Sequence, residues 1–309
     1  MRPVGFVAVE VELLLGRVGR PTVYVGRCMI ELARGLSPGD FRALAELETR
    51  VLDVDGGRLK LEWGVLRARA GRDVEDLLWW EGDRLTGFLG LYAFGAPTVE
   101  ISGMVDPSAR RRGIATELFE AALPICRECG YQQALLVTPR RSVAGRAFAL
   151  RRGAVLKHSE HALVLLDAPT DGPADPQITL RTGTLADAAD VSRLLDAAFG
   201  GPSSDVLDRL AEDSSRTLVV ELQRSPVGTV RVTRDQDSCG IYGFAVDPAW
   251  QGRGIGRDVL RRVCRELRDE GVQRIGLEVA VENDHALGLY KSLGFTQITT
   301  EDYYELPLS

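Results

Sequence analysis

Cysteine is scarce in this chain. Five residues among 309, Cys28, Cys126, Cys129, Cys239 and Cys264, are too few and too irregular for a disulfide scaffold, which favours a reducing compartment. Cys126 and Cys129 have C-x-x-C spacing, but no second Cys or His pair stands at ligand spacing, so no metal is expected. No apolar run is long enough to span a bilayer, and membrane association is not expected. Lysine occurs only at Lys60, Lys157 and Lys291 against abundant arginine, the codon bias of a GC-rich genome.

The first 28 residues are apolar, but Glu10 and Glu12 interrupt them and no small-residue cleavage site follows. "MIELARGLSPGDF", from Met29, reads as the first strand and capped helix of a domain, so residues 1–28 are expected to be a leader or an over-long start. The cytoplasm is the expected location.

With 45% hydrophobic and 27% charged residues, the chain can bury two proper cores. The clearest break is "DAPTDGPADPQ", residues 167–177, which has three prolines and no apolar period. It suggests a first domain over 29–168, a linker over 169–177 and a second domain over 178–309. In the second domain "ITLRTG" reads as a strand, and Thr184 with Asp187 opens an amphipathic helix. "TLVVELQ" and "VGTVRVT" read as a hairpin about a Ser-Pro turn, and "GIYGFAV" as a third antiparallel strand. A glycine loop, a helix, the strand "RIGLEVAV", the helix "DHALGLYKSLG" and a closing hairpin in "FTQITTEDYYELPL" complete the pattern.

The loop is "AWQGRGIGRD". Its Gly252, Gly254 and Gly256 lack the third glycine of a dinucleotide fingerprint, and no Lys-Ser or Lys-Thr follows to hold a nucleotide's phosphates. What remains is Q-x-x-G-x-G between a strand and a helix. It is either an anion site for something other than a nucleoside triphosphate, or a tight turn with no ligand.

Subtracting 141 carries Gly228 to Gly87, Asp247-Pro248 to Asp106-Pro107, Gln251 to Arg110, Gly254 to Gly113, Gly256 to Ala115, Asn283 to Ser142 and Gly294 to Gly153. One offset serving so many turn positions implies that both halves share a fold.

"VDPAWQGRGIG" followed at this separation by "NDHALGLYKSLGF" resembles the GNAT superfamily of N-acetyltransferases, which transfer an acyl group from coenzyme A to an amine. The resemblance covers both halves. It implies an α/β (α+β) chain of two tandem GNAT-like domains, each a mixed, mostly antiparallel sheet with helices on both faces. It also implies acetyl-CoA as co-substrate, its pyrophosphate on Gln251, Gly252, Arg253, Gly254, Ile255, Gly256 and Arg257. The pantetheine arm would lie along Phe244, Ala245 and Val246 and reach Asn283, which also reads as an N-cap. Tyr290 matches the tyrosine that serves the departing sulfur, with helix packing as its alternative role. Glu278, in a stretch similar to the ribosomal-protein alanine acetyltransferases, matches their general base, with Glu282 and ordered water as competitors. His285 reads as a solvated surface residue.

The first half departs from this pattern, with Ala149 in the place of Tyr290 and Ser142 in that of Asn283. Its loop, Arg110, Arg111, Arg112, Gly113, Ile114 and Ala115, keeps the amide spacing, so this half is expected either to bind acyl-CoA without transferring it or to brace the cleft. Trp79 and Trp80 read as core fillers. Residues 176–309 carry the whole formal charge of −6 while residues 1–175 balance, which favours a cationic acceptor, a small-molecule amine or a protein N-terminus, and weighs against nucleic acid. The two-domain plan with a catalytic second half is also similar to that of mycothiol synthases, a likeness of architecture that makes mycothiol-synthase-like acetylation the minority reading of the acceptor. A non-enzymatic acyl-CoA sensor or scaffold is the rival reading, disfavoured by the coexistence of the loop, Asn283 and Tyr290. A monomer is expected because fused halves can bury what single-domain relatives bury by dimerising; a dimer stays open.

Overall fold

The structure is a computed structural model, and it describes residues 14–15, 21–25, 28–93, 97–200, 206–212 and 215–308. The chain forms two compact units, residues 1–158 with 302–309, and residues 159–301.

In the first unit the strands are β1 (Leu14–Leu15), β2 (Pro21–Val25), β3 (Cys28–Ala33), β4 (Asp76–Glu81), β5 (Arg84–Ala93), β6 (Thr98–Val105) and β7 (Gln133–Pro139). Neighbours pair antiparallel in that order, except that β6 and β7 are parallel. The helices are α1 (Pro38–Asp55), α2 (Trp63–Ala68), α3 (Ile114–Glu128) and α4 (Val143–Arg151). Alternation on β4 explains its apolar run: Leu77 and Trp79 face the core under α3, and Leu78 and Trp80 the core under α1. Both faces are covered, so both tryptophans are core residues as expected. At the start of α1, Ser37 Oγ accepts from Asp40 N–H while Asp40 accepts from Ser37 N–H, the reciprocal cap expected of "LSPGD". Of residues 1–28, β2 pairs with β3 from Thr22↔Glu31 to Val25↔Cys28; most of the suggested leader lies outside the described residues.

β8 (Val155–Leu165) crosses the boundary between the units. The second unit continues with β9 (Ile178–Thr182), α5 (Ala188–Phe199), α6 (Val206–Ala211), β10 (Ser215–Leu222), β11 (Ser225–Asp235), β12 (Ser238–Val246), α7 (Ile255–Asp269), β13 (Arg274–Ala280), α8 (Asp284–Ser292) and the first half of β14 (Thr296–Pro307), whose second half belongs to the first unit. Its sheet runs β9, β10, β11, β12, β13 and then the second half of β8, with β12 and β13 the parallel pair. Helix α5 packs on one face through Val191 and Leu195, and α7 with α8 on the other through Val259, Val263 and Tyr290.

Three expectations are corrected. The closing hairpin is one long strand, β14, because nothing in "TQITTEDYYELP" supplies a turn residue with positive φ. The β10–β11 turn is Gln223-Arg224, at φ 53° and 68°, and Ser225-Pro226 already belongs to β11. Two non-glycine residues in the left-handed region close this two-residue turn, so the usual Asn-Gly signal was missing. The compact units also do not divide at the proline-rich segment. Residues Glu160–Leu165 pair with Ile275–Ala280, whereas Leu308 N–H donates to the Gln132 carbonyl and Arg127 to that of Leu308. The segment itself is pinned to α7, where Arg261 donates to the Thr170 and Pro173 carbonyls, Arg268 to Leu165 and Asp167, and Arg265 pairs with Asp171. Helix α6 was not anticipated.

Candidate active site

In the second unit β12 pairs with β13 only from Ser238↔Arg274 to Gly240↔Gly276. On its other edge β12 is irregular. Thr229 opposes Ala245 but Arg231 opposes Tyr242, so Gly243 and Phe244 together face one residue of β11, and Gly243 has φ 53°. This is a β-bulge with a left-handed glycine, which bends the strand and raises its twist. Past it, Phe244, Ala245 and Val246 line the side from which β13 has turned away, Phe244 and Val246 toward α7 and α8 and Ala245 toward α5.

The glycine loop follows directly. Asp247 caps the Pro248–Trp250 turn through Ala249 N–H, and Gln251 donates to the Val246 carbonyl at 2.9 Å, tying the loop to its strand. Gly252 and Gly254 have φ 75° and 83°, which L side chains rarely adopt. Gly254 is the N-cap of α7 and no side chain caps it, so the first amides and the positive end of the helix dipole face outward. Gly256 packs 3.4 Å, measured from an added Cβ, from Phe244 and Leu289. Arg253 and Arg257 are exposed, with the Arg253 guanidinium 4.6 Å from the Trp250 ring centroid.

Tyr290 is only 8% exposed, on α8, its ring 6.0 Å from that of Phe295 at 61°. Burial pushes its hydroxyl up to about 12, so it is a neutral proton donor near neutral pH. Asn283 caps α8 by accepting from Ala286 N–H at 3.0 Å. Glu278 is half-buried on β13 in register with Ala162, beyond the last paired residue of β12. Leu277 and Val279 share a core with Tyr290, so alternation turns Glu278 to the opposite face. Glu282 and His285 are exposed.

The first unit repeats the frame at the expected offset. Gly113 is the uncapped N-cap of α3 at φ 91°, Asp106 caps the Pro107 turn, and Ser142 caps α4 through Gly145 N–H. Arg110 copies Gln251, its Nε donating to Val105 O, and its remaining nitrogens clamp Asp55 at 2.6 and 2.9 Å. Arg112 is likewise paired with Glu81, whereas Arg111 is exposed at φ 63°. β6 and β7 part after Ile101↔Leu136, and here a cavity of about 770 Å³ opens, reaching from Arg110, Arg111 and Gly113 to Phe119 and Ala149. Cys126 lies in the core beside it, its thiol pushed up to about 11 by burial, chemically inert.

Two features escaped the sequence reading. The bulge is a one-residue insertion: Thr98 and Ser238, which start the two parallel pairings, are related by 140, while everything after Gly243 is related by 141. This drift in the repeat was readable in principle. Val137 also stands where the second unit has Glu278, and it lines the cavity, so the first unit lacks both candidate proton-transfer groups.

The model of the acetyltransferase (GNAT) family matches residues 43–154 and 189–295. A mycothiol acetyltransferase of Mycobacterium marinum is 31% identical over 86% of this chain and 93% of its own length. A GCN5-related N-acetyltransferase from Sphaerobacter thermophilus superposes with a TM-score of 0.76 at 19% identity, over 92% of this chain and 96% of that one. A tandem GNAT protein from the clavulanic acid biosynthesis pathway superposes at 0.62 and 19%, over 91% and 99%. These matches agree with the repeated strand, glycine loop and helix in each unit: the chain is an acyltransferase that belongs to the acetyltransferase (GNAT) family and carries two GNAT domains in tandem.

Proposed function

We propose that the second unit transfers an acetyl group from acetyl-CoA to a primary amine by direct attack. The observation that carries this reading is the coincidence, in one unit, of the bulged strand, the uncapped loop of amides at Gly254 and the buried neutral hydroxyl of Tyr290. The pyrophosphate lies against the first amides of α7, with Arg253 and Arg257 supplying charge. The pantetheine amides pair with the free edge at Phe244–Val246, and the backbone N–H that the bulge removes from the ladder is the donor for the developing oxyanion.

Glu278, directly or through water, takes a proton from the ammonium. The amine nitrogen attacks the carbonyl carbon, the C–N bond forms and the C–S bond breaks, Tyr290 gives its proton to the departing thiolate, and the second proton released by the nitrogen returns to the tyrosinate. The first unit, with Val137 and Ala149 in the corresponding places, holds acyl-CoA without transferring it. The name of the 31%-identical relative puts an acceptor of the mycothiol kind first among those to try.

Calorimetric titration of acetyl-CoA into wild type, Gly254→Glu and Gly113→Glu, each checked for folding, assigns the donor sites. An amine panel that includes the deacetylated form of mycothiol, with Tyr290→Phe as control, then tests transfer. Turnover lost with Gly254→Glu and kept with Gly113→Glu supports the reading; turnover that depends on Gly113 alone refutes it.

A further inference from the structure

The cavity of the first unit is large and apolar beyond the needs of an acetyl group. Its volume, about 770 Å³, is in the upper part of the range for small-molecule sites, roughly 300–1,000 Å³. Its charged lining residues are Asp55, Arg110, Arg111 and Arg151; Asp55 and Arg110 neutralise each other, and Arg111 and Arg151 are exposed.

The rest of the wall comes from both sides of the sheet. Phe88 and Met104 belong to the core under α1, and Leu118, Phe119 and Ala149 to the core under α3. The cavity therefore follows the gap that opens between β6 and β7 after Ile101 and Leu136. In the second unit the position of Ala149 holds a buried phenol ring, and that of Val137 a carboxylate. In the first unit neither a ring nor a charge stands at these two places; Ala149 is packed in the core with Phe119, and the cavity wall carries no polar group at either place.

An acetyl group presents a single methyl to such a wall. A longer hydrocarbon chain would cover it, each methylene taken from water strengthening binding by up to about fourfold, the equivalent of ~0.8 kcal/mol. We propose that the first unit is selective for acyl-CoA thioesters of medium chain length, with the acyl chain against the apolar wall of this cavity. This rests on the reading that the first unit binds coenzyme A thioesters at all.

The test is a calorimetric comparison of free CoA, acetyl-CoA, butyryl-CoA and hexanoyl-CoA, using the Gly254→Glu protein to silence the second unit. Hexanoyl-CoA is expected to bind at least tenfold more tightly than acetyl-CoA, with butyryl-CoA between them. Ala149→Leu and Ala149→Tyr, which add bulk to the cavity wall, should erase the preference while leaving free CoA bound. As a second arm independent of the folding of Gly254→Glu, wild type is compared with Gly113→Glu, and the chain-length preference should vanish only in the latter. Acetyl-CoA binding as tightly as hexanoyl-CoA to the Gly113-dependent site overturns the selectivity while leaving that site a coenzyme A site. Absence of any Gly113-dependent binding, free CoA included, overturns the underlying reading instead.

Discussion

Glu278 and Tyr290 belong to opposite faces of one sheet: Leu277 and Val279 share a core with Tyr290 under α7 and α8, so alternation along β13 turns Glu278 to the face that α5 covers. In the proposed reaction an amine entering on one face and a thiolate leaving on the other would use separate proton-transfer groups. Tyr290→Phe should lower kcat by about 10²–10⁴, the usual worth of a positioned general acid, at every pH up to 10. Glu278→Gln should show a deficit that shrinks as pH rises toward the amine's own pKa, where the base is no longer needed. Profiles of kcat/KM against pH for the two variants separate these roles.

The buried Tyr290 hydroxyl also ties stability to alkaline pH. Its folded pKa, about 12, exceeds the value of 10 for a free tyrosine, so ionisation favours the unfolded chain. The associated stability is complete below pH 10 and is lost as pH rises from 10 toward 12, by about 3 kcal/mol over two units. Urea unfolding of wild type and Tyr290→Phe at pH 8, 10 and 11.5 should show wild type losing more than the variant.

The loop glycines should separate by backbone conformation. Cβ atoms added at Gly113 or Gly254 meet nothing within 4 Å, so Gly→Ala there costs only the left-handed backbone, about 1–2 kcal/mol. Gly256→Ala should cost under about 1 kcal/mol, since its φ is ordinary, its contacts sit at 3.4 Å and Ala115 fills the equivalent place. Thermal melts of the three single variants check the order.

Deleting Gly243 should convert β12 into the regular strand seen in β6. The first unit demonstrates that this register folds, with Gly87↔Val105 through Ala93↔Val99 unbroken. The deletion is expected to keep secondary structure by circular dichroism while reducing acetyl transfer at least about 100-fold, the scale on which one oxyanion donor counts. Full activity in the deleted protein would show that the bulge has no part in the chemistry.

Much of this was legible before any coordinates. The Ser37–Asp40 cap, the burial of Trp79 and Trp80, the glycine loop and the 141-residue repeat are local or periodic signals, because backbone conformation and side-chain alternation are dictated by near neighbours. The turn at Gln223-Arg224 was not, since its residues carry no turn chemistry and are held there by the pairing of β10 with β11. Nor was the long strand β14, whose run of polar residues before Tyr303-Tyr304 reads equally well as two short strands.

What the sequence by itself determined is the kind of machine: two copies of one strand-loop-helix frame, a tyrosine and a glutamate in the second copy, an alanine and a valine in the first. Only the tertiary structure decided where the space lies. Pairing that stops after Gly240 and after Ile101 depends on contacts between strands far apart in the chain, as does the exchange of chain ends between the compact units. The gap between β6 and β7 stays open because the surrounding helices and strands hold their positions, which is a property of packing among distant residues that no local pattern records.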